Sequence, residues 1–278
     1  MNIEIADLRG GYIELLDFVL KYGKSVAPRG QETLEIINAT VTLADPLDAL
    51  PIGIGRKPNL AIGAGEALQL IGGFSDPEMM VSIAGSFERF FDGGVLAGAY
   101  GPRIRTQLPV AVSRLKRDPD TRQSLTLVWD ARYDAFGAVP HDLPCTCYFH
   151  FFVRDGMLSM LTSMRSNDAW LGVAYDFFQF TQLQLSVARS LKLPIGPYYH
   201  HADSLHVYLR DVEKIEELHP PDDSVVPMPT GIGLNGNSIE AMQERALLLW
   251  AGELENRTAS EEWYWEQLKP HVRAARKE

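Results

Sequence analysis

The sequence predicts an α+β fold, because its strands and helices do not alternate strictly. A β-rich run, Thr33 to Leu43, reads as one strand. In the centre, Thr146 to Val153 and Met157 to Met164 are strand-like runs joined by Arg154-Asp155-Gly156, a hairpin signal. Only after that hairpin does helical spacing return, from Phe177 to Leu191, before another strand over Ser204 to Leu209.

The remaining elements follow in chain order. Tyr12 to Tyr22 carries Leu15, Leu16, Val19 and Leu20 at helical spacing, with Gly23 as a stop. Gly65 to Ile71 reads as a buried helix, and Phe74-Ser75-Asp76-Pro77 starts the next element. A further helix ends at Arg117, before the turn Asp118-Pro119-Asp120. Ser124 to Asp130 is a short strand. With period-two alternation, Cys145, Cys147, Phe149 and Phe151 fall on one face of theirs. Pro220 to Asn237 is rich in Pro, Gly and Asp and reads as a loop. Ser238 to Leu254, with a serine N-cap, and Ser260 to Ala275 read as helices. The expectation is one domain over 1–278, with a loop at 220–237 and a helical C-terminal appendix at 238–278.

Hydrophobic residues make up 46% and charged residues 22% of the chain, the balance of a soluble globular protein. No apolar stretch approaches the roughly 20 residues that span a bilayer. The start of the chain carries Glu4, Asp7 and Glu14 and lacks the apolar centre of a signal peptide. A net charge of -10 argues against a broad nucleic-acid surface, yet allows one small anion held by a few arginines. Cys145 and Cys147 are the only two cysteines and lie too close in sequence to staple distant parts of a fold. A reducing, cytoplasmic setting fits them, with no membrane and no nucleic-acid partner.

Alone, Leu143-Pro144-Cys145-Thr146-Cys147 permits three readings. A metal site would need His141, His150 or His200 to complete the cysteine pair. The cysteines would otherwise be small apolar residues opening a strand. The third reading is a nucleophile, which requires a thiolate and a cationic or hydrogen-bonding neighbourhood.

The surrounding sequence decides between them. Asp142 to Cys145, leading into Tyr148-Phe149-His150-Phe151-Phe152-Val153-Arg154-Asp155-Gly156, resembles the nucleophile segment of thymidylate synthases. Met164-Arg165-Ser166-Asn167-Asp168-Ala169-Trp170-Leu171-Gly172 resembles that family's Gln-Arg-Ser-x-Asp-x-x-Leu-Gly run. Asp203 to Tyr208 is similar to its Asp-x-His-x-Tyr sugar-binding segment, with one extra residue. Asp118-Pro119-Asp120-Thr121-Arg122 resembles its arginine turn. Arg29, Gly65-Glu66 and Ala99-Tyr100-Gly101 fall where the family has its phosphate loop, glutamate helix and active-site tyrosine. The likeness covers roughly residues 10 to 212.

That resemblance implies a mixed sheet with packed helices and a homodimer formed across the sheet. It implies Cys145 as the thiolate that adds to pyrimidine C6, converting C5 into a nucleophile. The implied one-carbon donor is 5,10-methylenetetrahydrofolate, with no metal and with Asp168 among the folate-binding residues. Glu66 would organise water, and Tyr100 would assist removal of the C5 proton. Arg29, Arg165 and Ser166 would hold the nucleotide phosphate, with Arg122 reaching in from the partner subunit. His206 and Tyr208 would meet the sugar, and Gly172 would line the base site.

Three positions and the end of the chain depart from the family pattern. Its base-reading asparagine is Asp176 here. A carboxylate accepts only, so it suits the N4 amino group of cytosine and opposes the O4 of uracil. Deoxycytidylate hydroxymethylases, which resemble thymidylate synthases, have this aspartate. The charged end His271 to Glu278 is unlike the family's apolar closing tail, which points to water rather than hydride as the last reactant. Gln123 replaces a second arginine, and Met164 replaces a glutamine. The leading expectation is therefore 5-hydroxymethylation of dCMP or CMP. The alternatives are a thymidylate synthase, a deoxyuridylate hydroxymethylase, and a non-catalytic nucleotide- or RNA-binding homologue.

Overall fold

Among the described residues, eight strands form one mixed sheet: β1 (Asn2–Ile5), β2 (Lys24–Val26), β3 (Thr33–Leu43), β4 (Leu125–Leu127), β5 (Thr146–Arg154), β6 (Met157–Met164), β7 (Asn167–Asp168) and β8 (Ile195–Tyr208). The order is β1-β3-β8-β6-β5-β4, with β2 on β3 and β7 on β8. The computed structural model describes residues 2–91, 94–136, 142–222 and 228–275. The β5–β6 and β3–β8 pairs are antiparallel, whereas β6 and β8 run parallel. A parallel pair needs a long crossover, and α7 (Val173–Leu191) supplies it.

Register separates the faces of the sheet. Phe149, Phe151, Met160, Thr162, Tyr198, His200 and Val41 share the inner face, and each is at most 1% exposed. Leu127, Tyr148, Leu161 and Tyr199 share the other face, and all four keep contact with solvent. Alternation of this kind leaves one face for the core and one open.

The inner face is covered by α7, which is buried nearly all round, as expected of a helix inside a core. Its polar residues have partners. Gln184 Nε2 donates to the carbonyls of Leu158 (3.0 Å) and Gly196 (2.8 Å), fastening the helix to two strand ends. Gln182 Oε1 accepts from Gly231 N–H and from the Tyr264 hydroxyl. At the other end of the sheet, α1 (Leu8–Tyr22) is capped by Asp7 and buries Leu8, Tyr12, Leu15, Leu16 and Val19.

On α7 lies α2 (Leu60–Gly72), which starts at an Asn59 cap and so is longer than the sequence signals indicate. Short helices α3 (Pro77–Ile83), α4 (Tyr100–Ile104) and α5 (Gln107–Arg117) continue the layer. Two more, α6 (Ala131–Asp134) and α8 (Val212–Glu216), are single turns of surface chain. The last two, α9 (Ile239–Trp250) and α10 (Ala259–Ala275), pack on α2, with α10 also on α3. They bury Met242, Leu249, Tyr264 and Leu268 in the main core. Arg245 on α9 meets the fully buried Glu261 of α10 through two bonds of 2.7 Å.

Several expectations change. The strand expected over Ser124 to Asp130 shortens to Leu125–Leu127, because Val128 and Trp129 both donate to the Cys147 carbonyl and end the ladder. Strict alternation fails at Cys147. Thr146 faces Met164 and Tyr148 faces Ser163, so Cys147 is the extra residue of a bulge. Thr146, not Cys147, therefore joins Phe149 and Phe151 on the inner face. The strand expected from Ser204 begins at Ile195, and strands β1 and β2 carry no sequence signal that reveals them. Leu205 makes no bulge: the β3–β8 register runs unbroken from Thr33–Tyr208 to Ile37–Ser204. Among the described residues, 220–237 contains no regular element, and no helix is long and apolar enough to cross a membrane.

Because Glu261 also accepts from Thr258 and Gly233 N–H groups, it is built into the core as an anion. Arg245→Ala should cost roughly 2–3 kcal/mol, short of the 3–5 for a fully buried pair because the Arg245 side chain stays 26% exposed. Denaturant unfolding measures this, and a loss below about 0.5 kcal/mol would show that α9 and α10 are only loosely attached.

Candidate active site

The turn before β5 carries Cys145, and the turn after β6 brings Arg165 back across it. Arg165 N–H donates to the Cys145 carbonyl at 2.9 Å, while its guanidinium donates to Pro144 O and Leu143 O at 3.0 Å each. The guanidinium thus holds the loop in shape and sits beside the thiol. Burial pushes the Cys145 thiol up, Arg165 opposes that shift, and Asp176 adds to it. Cys145 therefore keeps its proton at rest, with the Arg165 cation beside it.

Tyr100 opens α4 and stacks on Phe180 of α7, ring centroids 6.3 Å apart. Its hydroxyl is pushed well above the ordinary phenol value, first by burial and then by Cys145 and Asp176. The following Gly101 is required by space. A Cβ there would lie 2.2 Å from the Gln69 carbonyl, so the turn seats directly against the end of α2.

Glu66 of α2 and Asp176 of α7 face one another. Gln179, one turn along from Asp176, donates through Nε2 to Asp176 Oδ1 at 3.1 Å and lies 3.5 Å from Glu66 Oε2. Burial raises Glu66 to about 8, and the Asp176 charge adds to the shift. Burial raises Asp176 to about 7 against the opposing bonds from Asn167 and Gln179. Two carboxyls in one dry pocket cannot both ionise cheaply. Gly172 makes room for Asp176: a Cβ on it would come within 2.7 Å of Asn167 Nδ2 and 3.0 Å of Asp176 Oδ2.

Asp168 accepts from the Trp170 and Leu171 N–H groups at 2.8 and 3.0 Å and shapes the turn into α7. β7 pairs Asp168 with His206, whose ring stands edge-on to Tyr208 at 5.2 Å. Arg29 is exposed in the turn before β3, at φ 53°. That turn is tied to the end of β8 by Leu209 N–H to Glu32 O and by Arg210 to Gln31. Ser166 lies half-buried beside Arg165. Arg122 does not join this group within the chain. It is exposed, and its carbonyl meets His150 Nε2 at 3.1 Å, five residues along from Cys145 and so roughly 16 Å away. Gln123 is exposed beside it, and its carbonyl accepts from Arg114. Met164, 1% exposed, packs opposite Thr146 as an ordinary core residue.

Four further residues belong to the site. Gln179 was legible as a helical i+3 partner of Asp176, whereas Asn167 sits at a variable position of its motif. His200 carried only a metal reading, and Tyr198 carried none. His200 instead hydrogen-bonds Asn167 and Tyr198. Among the described residues no group of three or more His, Cys, Asp and Glu is placed to hold a metal; His141 lies outside them.

Residues 11–228 match the thymidylate synthase family. A deoxyuridylate hydroxymethyltransferase of Bacillus phage SP01 is 30% identical over 217 residues, 72% of this chain and 57% of the phage protein. One of Pseudomonas phage M6 is 31% identical over 182 residues, 61% of this chain and 52% of its own. A thymidylate synthase of Mycoplasma mobile is 31% identical over 129 residues, 45% of this chain and 44% of its own. The chain spans about half the length of these curated relatives.

The paired carboxyls give stability a definite pH dependence. Asp176 at about 7 and Glu66 at about 8 keep protons in the fold that the unfolded chain, at 3.8 and 4.5, has released. Stability therefore falls as pH rises from about 4 to about 8. His200, pushed down from 6.5 to about 3, acts in the opposite sense, and only below 6.5. The thermal midpoint should thus drop between pH 6.5 and 8, and Glu66→Gln should flatten that slope. A midpoint that stays level or rises there in the unmutated protein would contradict the assignment.

Proposed function

The chain belongs to the thymidylate synthase family, and from that premise we propose that it hydroxymethylates C5 of a cytidine monophosphate, dCMP or CMP. The observation that carries the base is Asp176. Its two oxygens accept from Asn167 Nδ2 at 2.6 Å and Gln179 Nε2 at 3.1 Å, so its surroundings supply donors and stabilise it as an acceptor. An acceptor at this place pairs with an N4 amino group and repels O4.

The chemistry follows from the other groups. Arg29, Arg165 and Ser166 bind the phosphate, and His206 and Tyr208 bind the sugar. Arg165 draws the Cys145 thiol toward thiolate once the phosphate and base are seated. The Cys145 sulfur then adds to C6, and Asp176 favours a proton on N3 as the ring takes up charge. Tyr100 assists departure of the C5 proton, and Glu66 holds the water that ends as the hydroxyl. Expulsion of the Cys145 sulfur restores the ring.

5,10-Methylenetetrahydrofolate supplies the one-carbon unit when bound, and tetrahydrofolate and the hydroxymethyl nucleotide leave after water is consumed. The residues present fit such a molecule. A cleft of about 330 Å³ is lined by Arg56, Lys57, Trp170 and Tyr175, beside the turn that Asp168 shapes. Aromatic faces and cations suit a flat body with a carboxylate tail. Two relatives named hydroxymethyltransferases support water, rather than hydride, as the last reactant.

A second reading has specific support. Both of those relatives are named for deoxyuridylate, and an Asp176 raised to about 7 is partly neutral near pH 7. A neutral carboxyl donates and can meet O4. The two readings separate in C5 proton exchange with dCMP, CMP, dUMP and UMP. Asp176→Asn should lower exchange on the cytidylates by on the order of 10²-fold, about 3 kcal/mol, and raise deoxyuridylate in relative terms. Unmutated protein that prefers deoxyuridylate would overturn the cytidine reading.

The subunit arrangement is part of the same proposal. The open sheet face bearing Leu127, Tyr148, Leu161 and Tyr199 is the surface for a second copy, whose Arg122 completes the phosphate site. Cys145→Ser and Arg122→Ala should each be inactive alone, and mixing them with subunit exchange should restore activity at one site per dimer. Failure of mixing, or a fully active monomer in sedimentation, would remove Arg122 from the site.

A further inference from the structure

Behind Asp176, a line of buried side chains leads from the base site into the sheet. Asn167 Nδ2 donates to Asp176 Oδ2 at 2.6 Å, Asn167 Oδ1 lies 3.0 Å from His200 Nε2, and His200 Nδ1 lies 2.8 Å from the Tyr198 hydroxyl. Asp176 is 8% exposed, Asn167 3%, His200 1% and Tyr198 0%. Three elements contribute, α7, β7 and β8, and the site chemistry described above uses only the first two members.

The direction of these bonds is determined by their chemistry. An ionised Asp176, which the cytidine reading requires, accepts only, so Asn167 turns its NH₂ toward Asp176 and its carbonyl oxygen toward His200. That oxygen needs a donor, which places the histidine proton on Nε2. Nδ1 is then bare and accepts from the Tyr198 O–H. Burial holds His200 neutral, its value lowered to about 3, and keeps Tyr198 a neutral phenol. Phe177 packs on both rings, 5.3 Å from Tyr198 and 4.7 Å from His200, and so limits their rotation. Reversing the chain requires a proton on Asp176, a flipped Asn167 and the other histidine tautomer, all in a dry interior.

We propose that Tyr198, His200 and Asn167 are positioning residues that set base selectivity: their directed hydrogen bonds present a donor to the back of Asp176 and keep its front an acceptor for the pyrimidine 4-amino group. This rests on the cytidine reading of the site. Without the donor, Asp176 gains affinity for a proton, and a protonated Asp176 serves O4 instead. None of the three lines the cleft of Arg56, Lys57, Trp170 and Tyr175, so the relay acts on the ratio between bases through Asp176.

The test combines a spectroscopic and a kinetic reading. In ¹⁵N-histidine-labelled protein, His200 should be the neutral Nε2–H tautomer; an Nδ1–H tautomer or an imidazolium overturns the relay. His200→Phe removes the donor to Asn167, and the cytosine-to-uracil ratio of C5 proton exchange should fall by about tenfold, the effect of one buried hydrogen bond. His200→Gln returns an N–H near the Nε2 position and should recover most of the ratio. A folded His200→Phe protein with an unchanged ratio, or a Gln variant no better than Phe, overturns the proposal. The tautomer is read on unmutated protein and decides the matter even if His200→Phe fails to fold. Unmutated protein that prefers uracil while His200→Phe shifts it further would overturn the cytidine reading and leave the relay standing.

Discussion

Placing two carboxyls, Glu66 and Asp176, in the dry contact between α2 and α7 is the constraint on which the rest of the structure depends. Each is pushed far above the ordinary carboxylate range by burial, and each is tolerated because of what surrounds it. Gln179 is shared between them, and Asn167 serves Asp176 from the sheet side. The arrangement requires α7 to lie at the centre of the molecule, covered on one side by the sheet and on the other by α2. It also requires Gly172, since any side chain there would occupy the space that Asp176 and Asn167 use.

The cost of this burial is distributed across the fold. The glutamines of α7 tie the helix to strand ends, to the loop before α9 and to Tyr264 of α10. The Arg245–Glu261 pair then locks α9 to α10 over the outer side of α2. Helices that read in sequence as an appendix thus press on the helix that carries Glu66. A site that raises carboxyl proton affinities this far needs such exclusion of water, because any leak of solvent would return them to their ordinary range.

Around this dry centre, the cationic parts sit at the rim. Arg165 directs two bonds to the loop carbonyls of Leu143 and Pro144, so it shapes the Cys145 turn as well as placing a cation beside the thiol. Arg29 stands exposed in a left-handed turn tied to the end of β8, and Arg122 stands exposed by the open sheet face. The division is physical. The carboxyls with raised proton affinities are buried, while Arg29 and Arg122 stay open to solvent.

Local pattern in the chain already determined the α+β class, the β5–β6 hairpin, the boundaries of β3, the ends of α1 and α5, and the motifs around Cys145, Arg165 and Asp176. Those features depend on neighbouring residues, on periodicity and on the chemistry of a short segment, all of which sequence displays. What tertiary structure alone decided depends on pairs distant in the chain. The bulge that moves Thr146 inward exists because Val128 and Trp129 bind the Cys147 carbonyl. β1 becomes a strand only because β3 offers it a parallel edge. His200 and Tyr198 read as ordinary strand residues until β8 is laid beside β6 and β7, and only then do they stand behind Asp176 in line with Asn167. Hydrogen-bond direction along that line is a property of the assembled chain of groups, so no single residue in the sequence could display it.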